Sequence, residues 1–228
     1  MDINIFDNYN IRARLSVYII LISPILLTLY LLYEPVRTFT FSAILFTIII
    51  AFSNYLFALQ RYLQKDQKTY SNIAAKFLFV NDSHINSYTK QRYYQKLCKL
   101  DDNFSIFNNP SDSEDFETAC YSAIVWLRNN TRNNKLVQEE NILYGFYKNL
   151  ISFKNTGLCF TFIAIIILLS SSKPIYNFFQ SQLNTWLIIL DTFFLIFWIF
   201  GVNKKIGITV AEKYAYALLG ALDSMPIK

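Results

Sequence analysis

Charge is scarce in this 228-residue chain: Asp, Glu, Lys and Arg make up 16% of it, against about a quarter in an ordinary soluble domain. With so much apolar material, a solvated, disordered chain is excluded. Cysteine is limited to three residues, an odd number too widely spaced for a disulfide framework. No CxxC or CxxH spacing occurs, so no metal site is expected. The sole histidine, His84, follows a turn and has no Cys or Ser at motif spacing. It reads as a surface residue. The motifs GxxxxGK, GxGxxG, HExxH and GxSxG are all absent. The chain is therefore not expected to be an enzyme, and no cofactor is expected. No alternation of period two is present, which argues against β-sheet.

What the chain has in excess is hydrophobic residues, 54% of it, with 21 Phe and 16 Tyr. They are clustered. Four runs approach the length that crosses a bilayer: Leu15–Tyr33, Phe39–Leu59, Gly157–Ser171 and Leu183–Val202. A hydrocarbon core of about 30 Å needs about 20 helical residues. The third run is short and is expected to recruit flanking residues between Phe153 and Lys173. Hiding four such runs inside a soluble protein would need a very large core. The first run is too long for a signal-peptide core and has no small-residue cleavage site after it. Pro35 and Pro174 mark the two turns, and aromatic residues gather near them: Tyr30, Tyr33, Tyr176, Phe178, Phe179 and Trp186.

The expected fold is thus an all-α integral membrane protein, with four transmembrane helices in two hairpins and a helical cytoplasmic domain between them. Residues 1–59 hold the N-terminal arm and the first two spans. Residues 60–155 form the cytoplasmic domain, 156–202 the last two spans, and 203–228 an amphipathic cytoplasmic tail. Orientation follows from Lys and Arg: nineteen fall in the arm, the middle region and the tail, and two in the hairpin turns. That asymmetry places both termini and the middle region in the cytoplasm. The free thiols of Cys98 and Cys120 agree with a reducing compartment.

Within the middle region, Asn81-Asp82-Ser83 reads as a break with capping residues, and 85–99 as a helix. Residues 101–115 read as a loop. A helix capped by Ser113 or Asp112 then runs to about Asn130, with Phe116, Cys120, Ala123, Ile124 and Leu127 on one face. Residues 129–134 read as a turn, and another helix starts near Leu136. In the tail, Ile206, Val210, Tyr214 and Ala221 recur at helical spacing. It is expected to pack on the cytoplasmic domain or on a neighbouring subunit.

Charge is uneven along the middle region. Residues 60–99 carry eight bases and two acids, whereas 100–127 carry six acids and no base. One reading is that the bases touch anionic lipid headgroups. The other is a phosphate site in which Lys90 and Arg92, beside Tyr93 and Tyr94, are brought near Arg128 and Arg132. Inside the bilayer, Asp191 stands near the centre of the fourth run. Inserting a carboxylate there costs on the order of 3 kcal/mol. Either it takes part in helix packing, bonded by Ser23, Thr28, Ser53 or Asn54, or it faces water in a pore or at an oligomer axis.

Several strings carry a resemblance. They are Arg12-Ala13-Arg14-Leu15 with Ser23-Pro24, Asp82 with Thr89-Lys90-Gln91-Arg92-Tyr93-Tyr94, and Trp126-Leu127-Arg128 with Thr131-Arg132. Glu140-Asn141, Tyr144-Gly145-Phe146 with Asn149, and Ala211-Glu212-Lys213-Tyr214-Ala215 complete them. Together they resemble a family of small uncharacterised bacterial four-helix membrane proteins over nearly the whole chain. That family is similar to the membrane effectors of nucleotide-signalling antiphage systems of CBASS or Hailong type. The resemblance implies an oligomeric channel or pore in the bacterial inner membrane. Its control would come from a cyclic nucleotide or oligonucleotide made by a partner nucleotidyltransferase. The alternative is a non-conducting scaffold that recruits a soluble partner through residues 60–155.

Overall fold

The structure, a computed structural model, describes residues 7–32, 59, 62–63, 72–171 and 182–226. Those residues are all-helical, with no strand among them. The second apolar run lies outside them apart from Leu59, as do both turn prolines and the Ser53 and Asn54 candidates. The chain divides into two compact units.

The first unit comprises Met1–Lys68 and Gly145–Ile206. Three of its helical stretches are long and apolar enough to cross a membrane: Asn10–Leu32, Lys154–Ser171 and Asn184–Gly201. The first contains α1 (Ser16–Leu32), preceded by the π-helical turn Ile11–Leu15 and the single turn Asn8–Asn10. Arg12 and Arg14 were expected in a separate arm, but they lie within this continuous helical stretch. Arg14 is accommodated there because its guanidinium donates to Asn10 Oδ1 at 2.9 Å and lies over the Tyr9 ring. The other two membrane helices are α6 (Lys154–Ser171) and α7 (Gln182–Ile196), the latter followed by a second π-turn, Phe197–Gly201.

Each membrane helix buries one stripe at three- and four-residue spacing. In the first stretch it is Ala13, Val17, Leu21, Pro24 and Thr28; in α6 it is Gly157, Thr161, Ala164 and Leu168; in α7 it is Asn184, Leu187 and Asp191. Small residues dominate the α6 stripe. Apolar lipid gives helices no hydrophobic reason to associate, so close approach over small residues supplies the packing. The outward faces are large and apolar, as at Phe162, Ile166, Ile189 and Phe193. Lys154 Nζ donates to the carbonyls of Ile199 and Val202 at 2.9 and 2.7 Å. A cation there satisfies acceptors left over at the helix end.

The second unit comprises Thr69–Tyr144 and Gly207–Lys228. Its elements are α2 (Ile73–Phe77), α3 (Ser87–Leu100), the 3-10 helix Asp102–Asn108 and α4 (Glu114–Asn130). To these are added the first half of α5 (Lys135–Ser152) and most of α8 (Lys204–Ser224). The later half of α5 goes with the membrane unit, where Leu150 and Phe153 pack with Val17 and Tyr18. The tail joins the middle region, since Tyr214, Ala215, Leu218 and Leu222 belong to that region's core.

The α4 helix has the expected face: Phe116, Cys120, Ala123, Ile124 and Leu127 are its buried residues. Ser113 caps it, its hydroxyl accepting from the Phe116 N–H at 3.3 Å. Two expectations differ. The α3 cap is Asn86, accepting from Thr89 N–H at 2.8 Å, not the Asn81-Asp82-Ser83 break. The expected loop at 101–115 contains the 3-10 helix, because Phe104 and Phe107 are buried there against Phe116 and Trp126.

Candidate functional site

Asp191 sits on the buried stripe of α7, with its residue wholly covered. Thr28 of α1, equally covered, donates from Oγ1 to Asp191 Oδ2 at 3.4 Å, a long and weak bond. Asp191 Oδ1 is buried with no hydrogen-bond partner among the described residues. Thr161 of α6 is also fully buried, and its hydroxyl donates to its own helix at the Gly157 carbonyl. Ser23 likewise bonds back, to the Ile19 carbonyl. Thr28 is thus the described partner among the residues expected to reach this carboxyl. Asp191 is thus covered within a single chain, with Thr28 of α1 against its carboxyl.

Two π-turns flank this bundle, Ile11–Leu15 and Phe197–Gly201. Each closes an i to i+5 bond, Ser16 N to Ile11 O and Val202 N to Phe197 O. Such insertions occur disproportionately at functional sites. Asn149, buried, donates through Nδ2 to the Ala13 carbonyl inside the first of them. Lys154 holds the end of the second. These anchoring roles escaped the sequence reading. Lys154 entered it only as one positive charge among many, and Asn149 only within the resemblance. The one available signal was a buried-type amide at helical spacing from Phe146 and Phe153.

Each of the four bases expected at a phosphate site has a partner of its own. Lys90 is 5% exposed, and its Nζ donates to the carbonyls of Phe79 and Asp82, both at 2.6 Å. Burial pushes its pKa below the usual lysine value, opposed by the nearby Asp82 and Cys120. With Tyr94, whose hydroxyl donates to the Leu78 carbonyl, it fastens the 78–82 chain onto α3. Arg92 is paired with Asp223 at 2.8 Å and lies over the Tyr93 ring. Arg128 lies 6.0 Å over the Tyr214 ring, which stacks in turn on Tyr144. Arg132 donates to Asn129 Oδ1 at 3.0 Å. Asp223 and Tyr214 stand nine residues apart on α8, or about 13 Å along its axis.

A cavity of about 480 Å3 opens beside Lys90, lined by Asp82, Ser83, Asn86, Ser87 and Tyr94 among others. Its charged groups are already committed, Lys90 as above and Asp82 to His84 Nδ1 at 2.9 Å. His84 stacks on Phe77 and is half-exposed, as a surface residue would be. Among the described residues no group of three or more His, Cys, Asp or Glu is placed to hold a metal. No family model, curated protein or solved structure matches this chain.

Proposed function

We propose that this chain is the membrane-embedded subunit of an oligomeric channel effector, controlled by an anionic nucleotide or oligonucleotide on its helical unit, and that it serves in antiphage defence. In this reading it crosses the bacterial inner membrane four times, in two hairpins, with both termini and residues 60–155 in the cytoplasm. The observation that supports it is Asp191, a half-bonded acid enclosed in an apolar bundle. Such a group is costly and marks a functional site, among them ion and proton paths. Four helices per chain are too few to surround a wide aqueous pore, so several copies assemble around it. Because Asp191 is covered within a single chain, conduction requires the helices around it to part at that level. The two π-turns are the places where their helices yield. Acids exposed in this way favour cations.

A second reading, the non-conducting scaffold, draws support from the same enclosure: a carboxyl covered by its own chain also suits pure packing. Proteoliposome currents separate the two. In the channel reading the parent conducts cations, and Asp191→Asn alters the current while assembly persists. Absence of current from the parent with every nucleotide tested leaves the scaffold. Equal currents from parent and variant keep the channel and remove Asp191 from its path. Reporter fusions at Pro35 and Pro174 are expected outside and at Asn109 inside; the reverse pattern overturns the orientation.

A further inference from the structure

A second cleft in the helical unit, of about 510 Å3, lies between the 3-10 helix and α4. Its walls differ from those of the Lys90 cavity. Tyr121 and Trp126, both half-buried, bring aromatic surface to it. Each ring is set by an edge-on neighbour 5.8 Å away, Tyr121 by Phe79 and Trp126 by Phe104. The rim carries exposed amides and a hydroxyl from Asn103, Asn129 and Ser122. The charges are opposed. Asp101 stands at one side, its Oδ1 accepting from both the backbone and side-chain N–H groups of Asn103. Arg132, exposed, adjoins the other through its bond to Asn129. Ser122, Trp126 and Asn129 follow one another at four- and three-residue steps, so they form one stripe along α4, and Arg132 in the following turn reaches its end through the bond to Asn129.

We propose that this cleft is the nucleotide-binding site of the helical unit, with the base against Trp126 and Tyr121 and the phosphate at Arg132. The inference rests on the nucleotide-controlled reading above and gives it a place. Preset rings offer stacking surface to any base, and rim amides bond to base edges. An exposed guanidinium suits a phosphate. Asp101 would repel that phosphate and attract an exocyclic amine, so the two ends orient the ligand. A lipid headgroup has no use for the rings. An unstacked single base fits an open cleft of this volume, which falls within the usual small-molecule range of about 300–1,000 Å3.

The test uses the full chain in phosphatidylcholine nanodiscs and a fluorescein-labelled, 5′-phosphorylated deoxyadenosine tetranucleotide, read by anisotropy. Trp126→Ala is expected to weaken binding by about tenfold or more, while Trp126→Phe, which keeps a stacking face, stays within about threefold. Val125→Glu is the control for folding: Val125 lines the cleft and is 57% exposed, so a charge there blocks the site without touching the core. It is expected to abolish binding. Arg132→Gln should weaken binding and lower the salt slope by about one phosphate contact. Arg92→Gln should leave affinity within about twofold, since Arg92 is paired elsewhere. Tetranucleotide binding that survives Trp126→Ala, Val125→Glu and Arg132→Gln together overturns the cleft and leaves the nucleotide reading standing. Failure of the parent to bind the tetranucleotide, ATP and cyclic di-adenylate overturns the nucleotide reading and the cleft with it. Displacement by inorganic pyrophosphate as readily as by unlabelled tetranucleotide overturns the role of the rings.

Discussion

Gly157→Ala adds one methyl group to the membrane bundle, and the structure gives the outcome a magnitude. A Cβ at Gly157 would stand 2.2, 2.4 and 2.5 Å from Trp198 Cε2, Cζ2 and Cδ2. Ordinary van der Waals contact begins near 3.4 Å. Trp198 or the helix carrying it therefore has to retreat by about 1.2 Å. The indole is fully buried and cannot swing into open space. Overpacking of this kind costs about 1–3 kcal/mol. For a chain of this size that corresponds to a Tm lowered by roughly 3–10 °C. Gly220→Ala is the matched control. It lies inside α8 with nothing within 4 Å of its would-be Cβ. There the same methyl removes unfolded-chain freedom and should stabilise by about 0.4–1 kcal/mol. Both variants are read by helical circular dichroism on heating in detergent. A Gly157→Ala protein as stable as the parent would refute the close packing of α6 against Trp198. Restored stability in Gly157→Ala with Trp198→Phe would locate the clash in the indole.

Asp191→Asn keeps the volume and the acceptor for Thr28 but removes the buried acid's charge, whose insertion costs on the order of 3 kcal/mol, so it should raise Tm by a few degrees; a lower Tm would mean that the carboxyl is well paired. Lys90→Met should destabilise the helical unit by about 3 kcal/mol, because it leaves the Phe79 and Asp82 carbonyls without their charged donor; unchanged thermal unfolding would contradict that anchoring. Burial, then Glu117, raises the Cys120 thiol from 9.0 to about 12, with Lys90 opposing. Its raised folded-state pKa means that stability is intact below pH 9 and falls as pH rises toward 12, by up to about 4 kcal/mol; Cys120→Ala should flatten the drop in Tm across that window. In native protein at pH 8, Cys120 should also stay unlabelled by maleimide until denaturant is added.

Composition and periodicity alone determined the all-helical class and the three described membrane helices. Apolar runs near 20 residues and apolar spacing of three and four are local properties, and the solvent around them leaves few ways to satisfy them. The buried face of α4 and its Ser113 cap were legible for the same reason, since a helix face and a cap each need only a few neighbouring residues. The amphipathic spacing of the tail pointed to packing on the middle region or on another subunit, and tertiary contacts put it in that region's core. That half of α5 belongs with the membrane bundle was set by contacts between residues far apart in sequence. The partners of the bases expected at a phosphate site met the same limit. Bases close in sequence, Lys90 and Arg92, point to different partners, carbonyls for one and Asp223 for the other. Trp126, Asn129 and Arg132 line up with Asn103 and Asp101 only because the buried Phe104 and Phe107 fold a segment expected to be loop against α4. The enclosure of Asp191 was likewise decided by tertiary structure. An acid in an apolar helix is visible in the sequence, but that it is covered and meets Thr28 of another helix depends on how the helices pack.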